Sequence, residues 1–226
     1  MSYILQIETA TTVCSVALAK DGGVVGFKQL DERNIHAEII TLFIKELVTA
    51  AGISFDDLDA IAVSCGPGSY TGLRIGVSTA KGLCFALDKP LIAVETLTAM
   101  AYGIIATGQY NGRLLCPMID ARRMEVYTVL FDQTGNKIEP TSAKIIDENS
   151  FYERLQTNKI LFFGDGSHKC IDVLGIYPNA EFLPGFHNSA THLTQIAARK
   201  FNKKDFEDVA YFEPYYLKDF IAGKKA

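Results

Sequence analysis

The sequence has few of the features that mark secreted, membrane or nucleic-acid-binding proteins. Its five cysteines are odd in number and include no C-x-x-C pair, which indicates free thiols in a reducing compartment rather than a disulfide framework or a zinc site. No apolar run has the length of a membrane span and no signal peptide is visible, so we expect a cytoplasmic protein without membrane contact. The net charge of −4 argues against a general electrostatic attraction to nucleic acid.

Several catalytic and metal-binding motifs are also missing. The glycine-rich segment at residues 66–76 has no P-loop lysine, and Thr71 stands where a dinucleotide fingerprint needs its third glycine. His36 has Ile39 and Ile40 at the positions where a helical two-histidine metal site places its second ligand. No serine lies in a G-x-S-x-G elbow. Because these motifs are missing from the sequence, we predict no catalytic residue and no metal ligand.

The most specific feature present is the glycine loop, which lies between an apolar strand at residues 60–63 and a helical segment at residues 73–87. Such a loop makes a tight turn and leaves backbone N–H groups at a helix N-terminus, where an anion or the carbonyl groups of a partner can bind. The alternative is a purely structural turn that lets the helix pack closely on the sheet. The loop residues of interest are Gly66, Pro67, Gly68, Ser69, Tyr70, Thr71, Gly72 and Arg74.

The two halves of the chain begin in the same way. A strand ends at Glu8 and is followed by a hairpin, and a second strand ends at Asp120, 120 − 8 = 112 residues later, with another hairpin. The pattern predicts an α/β, actin-like (ribonuclease H-like) fold with mixed sheets, an N-terminal lobe at 1–108 and a reduced C-terminal lobe at 109–226. In this architecture Glu8 and Asp120 face the cleft between the lobes; the alternative is two silent acids at strand ends.

Two helices are more apolar than surface helices of a monomer. The first runs from His36 to about Ala51, and the second from Leu73 to Leu87 has an apolar stripe on one side and small residues on the other. Burial within the same chain is one explanation, and a protein–protein interface, which we favour, is the other. The predicted interface residues are His36, Ile40, Phe43, Ile44, Leu47, Ile75, Ser78, Thr79, Gly82 and Phe85.

The chain resembles the TsaB (YeaZ) family. The resemblance covers nearly the whole chain and is carried most strongly by residues 4–18, 66–81, 93–97 and 118–127; Glu8 stands where many members have aspartate. It implies a non-catalytic subunit in the synthesis of threonylcarbamoyladenosine in tRNA. The implied partners are the metal-bearing paralogue TsaD and the ATPase TsaE, with tRNA reached through the complex and a homodimer when the partner is absent. It implies no cofactor of its own, with ATP or ADP at the complex interface.

Two other functions stay open from the sequence. One is a free-standing actin-like ATPase or sugar-kinase-like enzyme, which needs a complete second lobe and phosphate-binding loops. Gly164-Asp165-Gly166 is the only suitable glycine turn in the short second half. The other is a metallopeptidase, as an older glycoprotease label for this group suggests, but Ile40 takes the place of the second histidine that such a site would need.

Overall fold

The computed structural model describes residues 1–218 and shows two five-stranded mixed sheets flanked by helices. The first sheet has the order β3-β2-β1-β4-β5 and contains β1 (Tyr3–Glu8), β2 (Val13–Lys20), β3 (Gly23–Asp31), β4 (Ala60–Ser64) and β5 (Leu91–Val94). The second has the order β10-β9-β6-β7-β8 and contains β6 (Leu114–Asp120), β7 (Glu125–Thr128), β8 (Ser142–Ile145), β9 (Ile160–Phe163) and β10 (Ala180–Leu183).

The two sheets have the same topology. In the first sheet, β1 pairs antiparallel with β2 and parallel with β4, and in the second, β6 pairs antiparallel with β7 and parallel with β9. The first strand of each half therefore occupies the same place in its sheet, and this confirms the predicted repeat.

The helices show that the second half is reduced. In the first half α1 (His36–Ala50) and α2 (Tyr70–Leu87) contain 15 and 18 residues, whereas α4 (Tyr152–Thr157) and α5 (Ile171–Leu174) contain 6 and 4. The remaining helices are α3 (Thr96–Ile105) and α6 (Thr194–Lys203). Within residues 1–218, none of the helices combines the length and the apolar character needed to cross a bilayer.

The central strands of the first sheet are apolar on both faces because helices cover both faces. Leu5 and Ile7 of β1 pack in one core cluster with residues of α1 and α2. Ile4, which points to the opposite face, packs in another cluster with Leu193 and with Ala197 of α6. Residues 190–203 thus return to the first sheet, and the proposed lobe boundary at residues 108 and 109 stays a prediction.

Candidate functional site

The glycine loop connects β4 to α2 and lies against the turn between β1 and β2. The Gly66–Pro67 peptide bond is cis and Gly66 has φ +117°. The main-chain N–H of Ser69 donates to the carbonyl of Ala10 at 2.7 Å. The Ser69 hydroxyl caps α2 by accepting from the N–H of Gly72 at 3.2 Å. The N–H of Gly66 donates to the Thr96 hydroxyl at 3.1 Å, so three loop N–H groups are used inside the chain.

Three glycines at four-residue spacing allow α2 to approach the β1–β2 turn closely. A Cβ atom added at Gly68 or Gly72 would lie less than 3.0 Å from the carbonyl oxygens of Ala10 and Thr9, respectively, and one at Gly76 would lie equally close to the Thr9 hydroxyl. Real Cβ atoms essentially never approach so closely. These close approaches support the structural explanation of the glycine spacing, and anion or partner binding by the loop stays a prediction.

Tyr215 and Tyr216 lie against the outer side of this loop. Tyr215 donates its N–H to the carbonyl of Cys65 at 2.7 Å. The Arg74 guanidinium lies 4.1 Å from the ring centre of Tyr70 and donates through Nε to the Tyr216 hydroxyl at 3.3 Å. The two tyrosine rings are 4.9 Å apart. Sequence reasoning missed this contribution because Arg74 and Tyr216 are 142 residues apart.

A cleft of about 1090 Å³ separates the two sheets, and the glycine loop forms part of its wall. Asp120 lines this cleft, as predicted, and its carboxylate pairs with Lys169 and accepts the N–H of Arg122 at 2.8 Å. Asp165 also lines the cleft and accepts the N–H of Asp120 at 3.0 Å. The sequence singled out the turn containing Asp165, but not this contact.

Glu8 does not face the cleft, and the structure corrects that prediction. Its side chain is 1% exposed and accepts the N–H of Ala10 at 2.6 Å. Burial raises the pKa of Glu8 to about 7, against the opposing effect of the Ala10 N–H and of the neighbouring Ser64 and Asn188 side chains. Ser64 Oγ and Asn188 Nδ2 lie beside the Glu8 carboxylate, but neither atom makes a hydrogen bond of standard geometry. The reason for the error is that the β1–β2 turn folds over the end of β1.

The residues do not fit a nucleotide-bound metal held between two strand-end acids. Glu8 is enclosed, and the carboxylate of Asp120 is already paired with Lys169. His36 is buried, with Nε2 3.0 Å from the carbonyl oxygen of Thr11. In residues 1–218, no group of three or more histidine, cysteine, aspartate or glutamate side chains is placed to hold a metal ion.

The structure divides the predicted interface residues into two groups. Ile40, Ile44 and Leu47 are buried in the core formed by α1, α2 and the first sheet, and His36 is buried as described above. These four residues were wrongly predicted to face a partner, because the apolar half of α1 covers its own sheet. The remaining residues are at least partly accessible: Phe43, Ile75, Ser78, Thr79, Gly82 and Phe85.

The accessible face of α2 combines a large apolar side chain with two small residues. Phe85 is 86% exposed. Ser78 is exposed, and a Cβ added at Gly82 would meet nothing within 4 Å. The three positions are separated by four and three residues, so they lie on one face of the helix. This α2 face (Ser78, Gly82 and Phe85) stays the predicted partner surface.

Comparison with known proteins places the chain in a family. A family model described as TsaD: tRNA N6-adenosine threonylcarbamoyltransferase matches residues 11–219. The tRNA threonylcarbamoyladenosine biosynthesis protein TsaB of Escherichia coli (strain K12) is 34% identical over 232 residues, which cover 98% of this chain and 97% of that protein. TsaB of Haemophilus influenzae is 28% identical over 98% of this chain and 96% of its own length.

A solved structure gives the same result for the fold. It is described as an uncharacterized protein with similarity to peptidase YEAZ from Pseudomonas aeruginosa, and it is 25% identical with a TM-score of 0.84. The match covers 96% of this chain and all of that one. Together with the paired mixed sheets, this likeness confirms the predicted actin-like α/β fold. The chain belongs to the TsaB (YeaZ) family.

Proposed function

We propose that this protein takes part in the biosynthesis of threonylcarbamoyladenosine in tRNA as a non-catalytic, activating subunit. In this proposal it pairs with a TsaD-like paralogue, which transfers the threonylcarbamoyl group from its adenylate to the tRNA adenosine beside the anticodon. Support comes from the near-complete alignment with the E. coli protein, whose name states this biosynthesis.

The observation that carries the pairing is the α2 face. A phenyl ring that is 86% exposed leaves apolar area in water, and its burial against a partner is favourable by roughly 25 cal/mol per Å². The adjacent Gly82 and Ser78 leave room for close approach of another helix. Phenylalanine is among the aromatic residues that are enriched at protein–protein interfaces.

The geometry of the site favours an activating role for this chain over a catalytic one. Glu8 is enclosed and Asp120 is paired with Lys169, so the two strand-end acids do not converge on a reacting group. The buried thiols also lack nucleophilic character, since burial raises the pKa of Cys65 and of Cys116 to about 12.

The same proposal includes a TsaE-like ATPase as a third component, ATP or ADP at the interface of the complex, and tRNA contact through the complex. When the paralogue is absent, the α2 face would join two copies of this chain. The isolated chain needs no cofactor in this proposal.

The experiment is threonylcarbamoyl transfer to tRNA, reconstituted from the catalytic paralogue, the ATPase, ATP and the adenylate donor, with or without this chain. We expect transfer to depend on this chain and the chain alone to be inactive. Transfer that is equally fast without it would reject the proposal. Tight binding of ATP and magnesium by the isolated chain would then favour the free-standing ATPase.

A pair of variants tests the surface itself. Phe85→Asp places a charge on the α2 face, and we expect it to abolish pairing and lower transfer by at least about tenfold, because a buried unpaired charge costs several kcal/mol. Ile145→Asp is the control, since Ile145 is also exposed, at 70%, but lies on β8 of the other sheet. Equal pairing by both variants would show that the interface lies elsewhere.

A further inference from the structure

A second cavity, of about 480 Å³, lies between the first hairpin and the loop that follows β10. Its volume is in the range of small-molecule sites, which are typically about 300–1,000 Å³. Most of its wall is apolar and is supplied by Val13, Ile171, Phe182, Leu183, Pro184 and Phe186. The cavity can therefore enclose the apolar body of a ligand.

The ionisable groups that line this cavity are two carboxylates and two histidines, His168 and His187. Asp31 and Asp165 supply carboxylates, and no lysine or arginine lies among the lining residues. Asp31 is already engaged, since it accepts from the Thr12 hydroxyl at 2.6 Å and lies 3.2 Å from Nδ1 of His187. An anionic ligand would meet two carboxylates and neither a lysine nor an arginine in the wall.

Asp165 is the lining carboxylate that forms no direct ion pair in the described part of the chain, although the charge of Lys169 acts on it. It accepts the main-chain N–H of Asp120 at 3.0 Å and forms no ion pair within residues 1–218. Lys169, a nearby cation, is held by Asp120 and by the carbonyl of Glu125. Burial, with a smaller contribution from the charge of Asp120, raises the pKa of Asp165. A cation bound beside Asp165 would compensate this charge.

Asn188 lines the same cavity. Its side chain is 3% exposed and lies beside the Glu8 carboxylate, which accounts for the effect of Asn188 on the pKa of Glu8. Asn188 therefore adds a buried polar group to the wall, but its amide is directed to Glu8 and the recognition of a ligand depends on the apolar residues and on Asp165.

We propose that this cavity binds a small organic cation, with its apolar body against Phe182, Leu183 and Phe186 and its ammonium or guanidinium group on Asp165. A metal ion is the poorer fit, because the lining carboxylates and histidines form no metal-binding group in the part of the chain that the structure describes. The proposal goes beyond pairing with a catalytic subunit, since this cavity does not include the α2 face.

The test compares three probes of one shape on the full chain: 2-phenylethylamine, the neutral 2-phenylethanol and the anionic phenylacetate. Binding is followed at pH 8 by ligand-observed NMR and by titration calorimetry. We expect the amine to bind at least about tenfold more tightly than the neutral probe, which is the ratio given by 1.4 kcal/mol. No binding of the amine up to about 10 mM, weaker than the millimolar range of fragments, would overturn the proposal, as would equal binding of phenylacetate.

Two variants with matched controls locate the site. Asp165→Asn should weaken amine binding roughly tenfold, because the amide keeps an acceptor oxygen but loses the negative charge that strengthens the hydrogen bond to the ammonium group, whereas Asp172→Asn on α5 should leave it unchanged. Ile171→Trp should fill the cavity and abolish binding. Ile176→Trp is its control, because Ile176 is 64% exposed and is not among the lining residues. Binding that is insensitive to both Asp165→Asn and Ile171→Trp would show an adventitious site only and overturn the assignment.

Discussion

Replacing one glycine of α2 with alanine should destabilise the protein where the helix meets the β1–β2 turn and stabilise it where the helix faces solvent. At Gly72 an added methyl group would collide with the main-chain carbonyl of Thr9. At Gly82 the same methyl group would meet nothing within 4 Å. The two substitutions are chemically identical and lie in one helix, so their difference isolates the close packing.

The magnitude follows from two opposing effects. Alanine is favoured over glycine in a helix interior by roughly 0.5–1 kcal/mol, so Gly82→Ala should be more stable than the natural protein by about that amount. Overpacking costs roughly 1–3 kcal/mol, and the obstacle at Gly72 is main chain that cannot rotate away. We therefore expect Gly72→Ala to unfold with a free energy about 1–3 kcal/mol below that of Gly82→Ala.

The measurement is equilibrium unfolding in urea followed by circular dichroism, at several protein concentrations so that self-association is separated from stability. A further variant sharpens it: Thr9→Ala should relieve Gly76→Ala, where the obstacle is the Thr9 hydroxyl, but not Gly72→Ala. If Gly72→Ala unfolds at the same urea concentration as Gly82→Ala, close packing does not explain the glycine spacing.

Three further predictions concern ionisation. Burial raises the pKa of Glu8 from 4.5 to about 7, so between these pH values the folded state holds a proton that the unfolded state has lost. The free energy of unfolding should therefore fall by about 3 kcal/mol as pH rises through this range. Glu8→Gln should remove this pH dependence from urea unfolding measurements, and an unchanged dependence would contradict the assignment. Burial lowers the pKa of His192 from 6.5 to about 4, so stability should fall as pH drops through that range, and His192→Leu should flatten this acid limb; a persisting limb would implicate another group. Burial raises the pKa of Cys65, Cys84 and Cys116 to about 12, so iodoacetamide at pH 8 should modify these thiols only on unfolding, which mass spectrometry detects; rapid labelling of the folded protein would refute their burial.

The sequence by itself determined the repeated architecture and the place of the glycine loop. Both depend on local patterns: strands that are apolar on both faces are covered on both faces, and glycines at four-residue spacing line one side of a helix. The 112-residue offset between Glu8 and Asp120 was sufficient to predict two sheets of one topology, because equivalent strands take equivalent places in the two halves.

Only the tertiary structure decided which side chains reach a surface. Apolar residues occupy much of the circumference of α1, so sequence periodicity does not tell whether Ile40 and Ile44 face the sheet or a partner. The structure shows that both pack in the core with the first sheet. Glu8 and Asp120 occupy equivalent strand ends, yet the turn closes over Glu8 and leaves Asp120 in the cleft. The contact of Tyr216 with Arg74 joins residues 142 positions apart. Such facts depend on long-range packing, which local spacing does not encode.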